Sequence, residues 1–190
     1  MLVVADLTGS MSPYIGQLLL WMKLNSNTRP AKYFVFFNDG DGKSDFEKEI
    51  GKTGGIYHTQ TENVEDVLEI AKETMRNGFG GDEPENNIEA LLFGMKEYPN
   101  FKELIMIADN WATPRDLALL SYVKKPIRVV LCGTEKGINP QYLDIARRSR
   151  GSVHTIEDDL ETLMELNEGE SIQVDGMEYR IENGRFKLVR

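Results

Sequence analysis

The sequence predicts an α/β fold in which helices cover both faces of a doubly wound, mostly parallel sheet, followed by a C-terminal antiparallel β-meander. Short apolar runs alternate with amphipathic helical patterns along most of the chain, and the last stretch instead carries two hairpin turns. Continuously apolar strands are typical of parallel sheets that are buried on both faces. We therefore expect an α/β domain over residues 1–168 and a small appendage over residues 169–190.

Six short segments are predicted as strands of the sheet because they are rich in apolar, β-branched and aromatic residues. They cover residues 2–5, 33–37, 54–60, 104–108, 127–132 and 152–156, and the third is expected at an edge. Asp6 directly follows the first segment and Asp109 follows the fourth. Ligands of such sheets bind at the carboxyl ends of the strands where the strand order reverses, so these two acids would meet there if their strands are neighbours.

Amphipathic patterns between the strands are predicted as helices because their apolar residues recur at a spacing of three or four. The first begins near Ser12 and Pro13, which supply a cap and a first-turn proline. Thr113, Pro114 and Asp116 are expected to cap a short helix. The predicted apolar faces are, in chain order, Ile15, Leu18, Leu19 and Met22; Val64, Val67, Leu68, Ala71 and Met75; Ile88, Leu91, Leu92 and Met95; Leu117 and Leu120; Leu143 and Ala146; and Leu160, Leu163 and Met164.

The C-terminal segment is predicted as a three-stranded meander, because it contains the two-residue hairpin turns Asp175-Gly176 and Asn183-Gly184. These turns set the pairs Val174–Met177, Ile172–Tyr179, Ile181–Phe186 and Tyr179–Leu188, which place the apolar side chains on one face. An isolated meander with one apolar face must cover that face. We expect it to lie on the flank of the domain, with a partner or an upstream segment as the alternative.

Composition excludes several classes of protein. The chain has 190 residues, of which 41% are hydrophobic and 28% charged, so it is globular rather than disordered. Its formal net charge of −9 argues against nucleic acid or an anionic membrane as the main partner. No apolar run reaches the length of a membrane span, so no membrane insertion is expected.

The cysteine and histidine content limits the available site chemistry. Cys132 is the single cysteine, which excludes an internal disulfide, and its apolar surroundings in sequence indicate a buried small hydrophobe. His58 and His154 are the only histidines, so zinc sites and serine–histidine triads have few residues to draw on.

Asp6, Thr8 and Ser10 form the candidate site around which the chain is organised. Their side chains can converge on one point if the chain curls after the first strand, and Gly9 permits such a turn. A carboxylate and two hydroxyls are hard oxygen donors, which suit Mg²⁺, Mn²⁺ or Ca²⁺ rather than zinc. An N-capping turn without metal is the alternative interpretation of residues 6–10.

The pattern Asp-x-Thr-x-Ser after a short hydrophobic strand resembles the metal-ion-dependent adhesion site of von Willebrand factor type A domains. That family has a Rossmann-like α/β fold and usually carries Asp-x-Ser-x-Ser, so Thr8 replaces a serine and keeps the hydroxyl. Two further loops extend the resemblance over roughly residues 1–160. Asp109 resembles the aspartate with which the family ends a later strand.

The middle loop, Gly80-Gly81-Asp82-Glu83-Pro84-Glu85, resembles the Asp-x-Pro-Glu loop in the von Willebrand A-type domains of integrin β-subunits and in bacterial relatives. The resemblance implies that Glu85 is a ligand of the central metal. It implies that Asp82 serves an adjacent site or a position behind the ligands. A solvated acidic helix start is the alternative for these residues taken alone.

The resemblance implies a binding module rather than an enzyme. A partner's Asp or Glu would complete the coordination of the metal, giving metal-dependent adhesion or assembly. One alternative is a metal-dependent phosphohydrolase of the haloacid dehalogenase type, which needs a second aspartate where this chain has Thr8. Another is a scaffold of the same fold that binds partners without metal.

Other loops and the location of the protein are less informative. Asp39, Asp41 and Asp45 suggest a calcium loop, but an EF-hand starting at Asp39 would need glycine at Ser44 and glutamate at Ile50. We therefore expect a solvated turn there. The chain as given favours the cytoplasm, but its first predicted strand has no lead-in, which fits a domain of a longer protein. The oligomeric state stays open.

Overall fold

The computed structural model describes residues 1–16, 31–78, 80–81 and 84–189, and it confirms the mostly parallel sheet and the C-terminal meander. The strands are β1 (Leu2–Asp6), β2 (Tyr33–Phe37), β3 (Ile56–Gln60), β4 (Pro84–Glu85), β5 (Leu104–Asp109), β6 (Thr113–Pro114), β7 (Ile127–Cys132), β8 (Ser152–His154), β9 (Asp159–Leu160), β10 (Ser171–Val174), β11 (Met177–Glu182) and β12 (Arg185–Leu188). The α-helices within the described ranges are α1 (Val64–Asn77), α2 (Asn87–Glu97) and α3 (Pro140–Ser149). In this part of the chain, no helix is both long and apolar enough to cross a bilayer.

A seven-stranded sheet with the order β3-β2-β1-β5-β7-β8-β9 forms the centre of the fold. The edge strands β3 and β9 run antiparallel to their neighbours, and the other pairs are parallel. From β1 the chain winds outward through β2 and β3 on one side, and then returns to build β5, β7 and β8 on the other. The order therefore reverses between β1 and β5, which is where such sheets bind ligands.

The sheet is buried on both faces by two separate hydrophobic cores. Leu2 and Val4 of β1 belong to the core that contains residues of α2 and α3. Val3 and Ala5 point to the opposite core, which contains Val67 of α1. This alternation within a wholly apolar strand is the physical reason for its continuous hydrophobic sequence, because both faces must leave water. Most of the helix predicted from Ser12 onward lies outside the described residues.

The helix predicted with Leu160, Leu163 and Met164 on its apolar face is wrong. The strand predicted over residues 152–156 is shorter than expected. β8 ends at His154, and the chain then turns back so that Leu160 pairs with Val153 in β9. Only a single turn of 3-10 helix follows, at Leu163–Glu165. Three apolar residues do not define a long helical face, and pairing with the open edge of β8 satisfies backbone groups that the edge would otherwise expose.

Asp116 caps a different helix from the one predicted. The segment Leu117–Tyr122 is a 3-10 helix, and Asp116 makes no side-chain capping bond to it. Its carboxylate instead accepts hydrogen bonds from the backbone nitrogens of Ile88 at 3.1 Å and Glu89 at 2.6 Å, at the start of α2. Thr113–Pro114 forms β6, which pairs in parallel with β4. The two elements together position the start of α2 and the adjoining Glu85.

The C-terminal meander has the predicted register and lies on the flank of the domain. Val174 pairs with Met177 and Ile181 with Phe186, as the two hairpin turns require. Val174, Tyr179, Ile181 and Phe186 of its apolar face are buried, whereas Leu188 at the end of the face is exposed, and β12 contacts α3. The hydroxyl of Tyr179 accepts a hydrogen bond from the Ile138 backbone nitrogen at 2.6 Å. This bond satisfies a buried backbone donor that precedes α3.

Candidate metal centre

Asp6 and Asp109 lie at the carboxyl ends of the neighbouring strands β1 and β5, as the sequence predicts. Both side chains are fully buried. Burial of a carboxylate without a partner is costly, so the groups around these two acids determine what the site can do.

A chain of hydrogen bonds joins the two strand-ending acids through the first loop. Asp6 Oδ1 accepts from the Thr8 backbone nitrogen at 2.7 Å and from Thr8 Oγ1 at 2.7 Å. Thr8 Oγ1 lies 3.2 Å from Ser10 Oγ, and Ser10 Oγ donates to Asp109 Oδ2. The loop therefore brings Asp6, Thr8, Ser10 and Asp109 together in one cluster. Thr8 precedes a turn of 3-10 helix at Gly9–Met11, which curls the chain around that point.

The middle loop contributes the Glu85 carboxylate to the cluster. Glu85 lies in β4, its side chain is buried, and its backbone oxygen accepts from the Arg115 nitrogen at 2.9 Å. A methyl group built on Gly80 would lie 3.6 Å from Glu85 Oε1 and 3.4 Å from Thr8 Cγ2, so the Glu85 side chain and Thr8 flank the same glycine. The predicted ligand Asp82 lies outside the described residues.

Asp109 also organises the loop that follows β5. Its Oδ1 atom accepts hydrogen bonds from the backbone nitrogens of Trp111 at 2.7 Å and Ala112 at 2.9 Å. Asn110 donates through Nδ2 to the Gly137 oxygen at 2.6 Å and accepts from the Asn139 nitrogen at 2.7 Å. The loop is therefore held on the strand ends by its own side chains, which leaves Asp109 Oδ2 directed at Ser10.

Asp6 and Glu85 resist ionisation in the protein alone. Burial raises the pKa of Asp6 to about 7, against the hydrogen bonds from Thr8, and the nearby charges of Asp109 and Asp39 raise it further. Burial raises the pKa of Glu85 to about 10, and the charge of Asp6 adds to this rise. These shifts have one physical meaning: several carboxylates compete for one poorly solvated volume, and a positive charge placed there would stabilise their ionised forms.

Two buried carboxylate oxygens of the cluster, Asp6 Oδ2 and Glu85 Oε2, have no hydrogen-bond partner among the described residues, and Asp39 Oδ1 beside the cluster also has none there. Such atoms are uncommon in folded proteins and indicate a missing water or ion. Within the described ranges, no three side chains of the His, Cys, Asp or Glu type are grouped so as to hold a metal by themselves. A metal at this place would therefore need the hydroxyls of Thr8 and Ser10 as well. The donor set, hydroxyl and carboxylate oxygen, fits Mg²⁺, Mn²⁺ or Ca²⁺.

Sequence reasoning missed a buried ion cluster beside the site. The expected solvated turn is wrong for Asp39 but right for Asp41 and Asp45, which are exposed. Asp39 is fully buried, and its Oδ2 lies 2.6 Å from Lys48 Nζ and 2.7 Å from Arg115 Nη2. Burial raises the pKa of Asp39 to about 6, and the two cations oppose that rise. One signal was present, because Asp39 follows closely after a buried strand, at the same edge of the sheet as Asp6.

The structure also aligns Ser152, His154 and Asp159 in a hydrogen-bonded series. Ser152 Oγ lies 2.7 Å from His154 Nε2, and His154 Nδ1 contacts Asp159 Oδ1. His154 and Asp159 are cross-strand partners in the β8–β9 hairpin, and the Asp159 side chain is 73% exposed. Because a hydrolytic triad needs an acid that is shielded from water, we interpret this series as a stabilising contact of the hairpin.

Comparisons with known proteins give few matches. No family model matches the chain, and none of the curated proteins matches it. Among solved structures, a von Willebrand factor type A structure from Catenulispora acidiphila is similar, with 18% sequence identity and a TM-score of 0.47. The match covers 86% of this chain and 39% of that chain.

Proposed function

We propose that this chain is a divalent-metal-dependent protein-binding module of the von Willebrand A type. Asp6, Thr8, Ser10, Glu85 and Asp109 would hold Mg²⁺, or Mn²⁺ or Ca²⁺, and a partner's Asp or Glu carboxylate would complete the coordination. The observation that carries the proposal is the pair of unpartnered carboxylate oxygens, Asp6 Oδ2 and Glu85 Oε2, in a cluster of oxygen donors.

The chemistry of the neighbours favours a hard cation over a soft one. Cys132 lies opposite Asp109 on the adjacent strand, and burial raises the pKa of its thiol to about 11. Ionising this thiol to the thiolate that binds zinc or copper therefore costs more than for an ordinary cysteine. The oxygen donors of the cluster remain, and they suit small divalent cations.

The position of the site at the surface supports binding of a partner. Ser10 is exposed whereas Asp6, Thr8 and Glu85 are buried, so the cluster opens to solvent on the Ser10 side. When bound, the metal would supply an electrostatic attraction for an anionic group of the partner. The carboxylates of Asp6, Glu85 and Asp109 would increase cation affinity but reduce the net positive charge that the partner meets. Asp82 remains a proposed contributor to an adjacent cation or to the support of the ligands.

A phosphohydrolase of the haloacid dehalogenase type is less well supported. The position two residues after Asp6 is Thr8, whose hydroxyl donates to Asp6 Oδ1 instead of adding a second carboxyl group. The buried Lys48 contacts Asp39 rather than Asp109. A scaffold that binds partners without metal remains the alternative that the following experiment separates.

Calorimetric titration and thermal unfolding with Mg²⁺, Mn²⁺ and Ca²⁺ test the proposal. A ligand that binds only the native state raises stability by about 2.7 kcal/mol at a hundred times its Kd. We expect this gain for the unmodified chain and not for Asp6→Ala or Glu85→Gln. Glu69→Gln, which removes an exposed acid of α1, is the matched control and should behave like the unmodified chain. Absence of binding of all three cations would leave the scaffold alternative.

A further inference from the structure

Trp111, Lys136 and Tyr14 form a cluster beside Asp109 that the proposed metal site does not use; we call it the aromatic rim. Trp111 is 57% exposed although it is a large apolar side chain. Its backbone nitrogen donates to Asp109 Oδ1 at 2.7 Å, which fixes the residue at the edge of the candidate metal centre. Trp111 therefore lies two residues after a predicted metal ligand and keeps more than half of its side chain accessible to a partner.

Lys136 and Gly133 both lie close to the Trp111 indole. Lys136 Nζ lies 5.4 Å from the centre of the Trp111 ring, within the range of a cation–π interaction. Gly133 has a φ of +74°, and a methyl group on it would lie 3.1 Å from Trp111 Nε1 and 2.8 Å from the Tyr14 hydroxyl. The indole N–H and the phenol hydroxyl therefore lie over the same glycine.

All three rim side chains present hydrogen-bond donors, and none of these donors has a partner among the described residues. Lys136 is exposed and makes no ion pair there, and neither the Trp111 indole N–H nor the Tyr14 hydroxyl has a protein acceptor there. Burial and the charge of Glu135 raise the pKa of Tyr14. A group that satisfies an ammonium, an indole N–H and a phenol together is a hydrogen-bond acceptor with negative charge.

We infer that the aromatic rim binds a second carboxylate of the partner, so that the preferred ligand is an acidic segment with two acids rather than one. The first carboxylate would complete the metal site, and the second would lie on Lys136, Trp111 and Tyr14. This inference rests on the proposed function, because it needs the first carboxylate to be anchored nearby. An exposed tryptophan held in place by its neighbours loses little conformational freedom on binding, as in residues that dominate binding energies.

Binding of short blocked peptides to the full chain in saturating Mg²⁺ tests the inference. The probes are Asp-Asp, Asp-Gly-Asp and Asp-Gly-Gly-Asp, each compared with a matched peptide whose second residue of the acid pair is Asn. The Trp111 indole N–H resonance in nitrogen-15 correlation spectra reports contact with the rim, and its assignment follows from Trp111→Phe. We expect at least one diacid to bind about threefold or more tighter than its Asn counterpart, the scale of a partly exposed ion pair.

Substitutions at Lys136 test whether its positive charge, rather than the length of its side chain, gives the preference for a diacid. Lys136→Gln should abolish the preference for the diacid, and Lys136→Arg should restore it. Equal binding of diacids and Asn peptides by the unmodified chain would overturn the inference while leaving the proposed function intact. Failure of every peptide to bind, together with calorimetry that detects no metal, would remove both. Metal affinity is measured for each variant so that peptide binding is always compared at saturation.

Discussion

Arg115 Nη2 lies 2.7 Å from Asp39 Oδ2 and donates to the Pro84 backbone oxygen, so one guanidinium joins the end of β2 to the strand that carries Glu85. The Arg115 backbone nitrogen also donates a hydrogen bond to the Glu85 backbone oxygen at 2.9 Å, which is a second contact between Arg115 and β4. Lys48 shares the Asp39 carboxylate. The buried ion cluster therefore supports the middle loop of the candidate site, and its charge balance affects the acids beside it.

Removal of Arg115 should cost stability. Arg115→Ala takes one of two cations away from the buried Asp39 carboxylate and frees β4, and breaking a buried pair costs about 3–5 kcal/mol. Chemical denaturation would measure the loss. The control is Lys187→Ala, which removes an exposed pair with Glu182 and should cost no more than about 1 kcal/mol. Similar losses for the two variants would contradict a role of the buried cluster.

The stability of the metal-free protein should fall as the pH rises from about 4 through about 7. The pKa of Asp6 is raised from 3.8 to about 7, so its stabilising contribution is fully present below the unfolded pKa and is lost as the pH passes the folded one. Glu85 extends the loss toward pH 10. Thermal unfolding in a chelator at a series of pH values measures this slope.

Glu85→Gln is the control for the pH profile, since it removes the acid whose pKa is raised to about 10. Its profile should be flatter than that of the unmodified chain above neutral pH, and saturating Mg²⁺ should flatten the profile of the unmodified chain in the same range. If the stability of the metal-free protein instead increased with pH over this range, the pKa values of Asp6 and Glu85 would not be raised in the folded state.

A methyl group at Gly55 should disturb the end of β2. It would lie 2.0 Å from Asn38 Oδ1 and 2.5 Å from the Gly40 nitrogen, in addition to a φ of +66°. Gly42 has a similar φ of +76° but open space around it. Gly42→Ala should therefore cost about 1–2 kcal/mol from the left-handed backbone alone, and Gly55→Ala clearly more. Urea unfolding compares the stabilities of the two variants. Equal losses of stability would show that the Asn38 side chain moves aside without cost.

The Tyr179 hydroxyl should contribute measurably to the docking of the meander. Tyr179→Phe leaves the buried Ile138 nitrogen without its acceptor, a loss of about 1–3 kcal/mol. Tyr122→Phe removes a hydroxyl from a 65% exposed side chain and is expected to be nearly neutral. Denaturant midpoints of the two variants provide the comparison. If Tyr179→Phe is also neutral, another group or water accepts from Ile138.

Local sequence patterns predicted the elements that local physics controls. The strand β2 is wholly apolar and is largely buried, and Leu143 and Ala146 lie on the buried face of α3, as predicted. Asp175 and Asn183 take positive φ angles, as two-residue hairpin turns require, and these turns alone set the register of the meander. The approach of Asp6 to Asp109 followed from one topological rule about neighbouring parallel strands.

What the tertiary structure decided is which partner each polar group finds. Asp116 carries the same capping signal for either helix, and only the packing of β6 against β4 brings it to α2. In the sequence, Asp39 looks like any acidic turn residue. Its ion pair with Arg115, which is far away in sequence, exists only in the folded chain. Strand and turn preferences are properties of neighbouring residues, so the sequence by itself determined them. Burial and pairing of charges depend on long-range contacts, and these exist only in the folded chain.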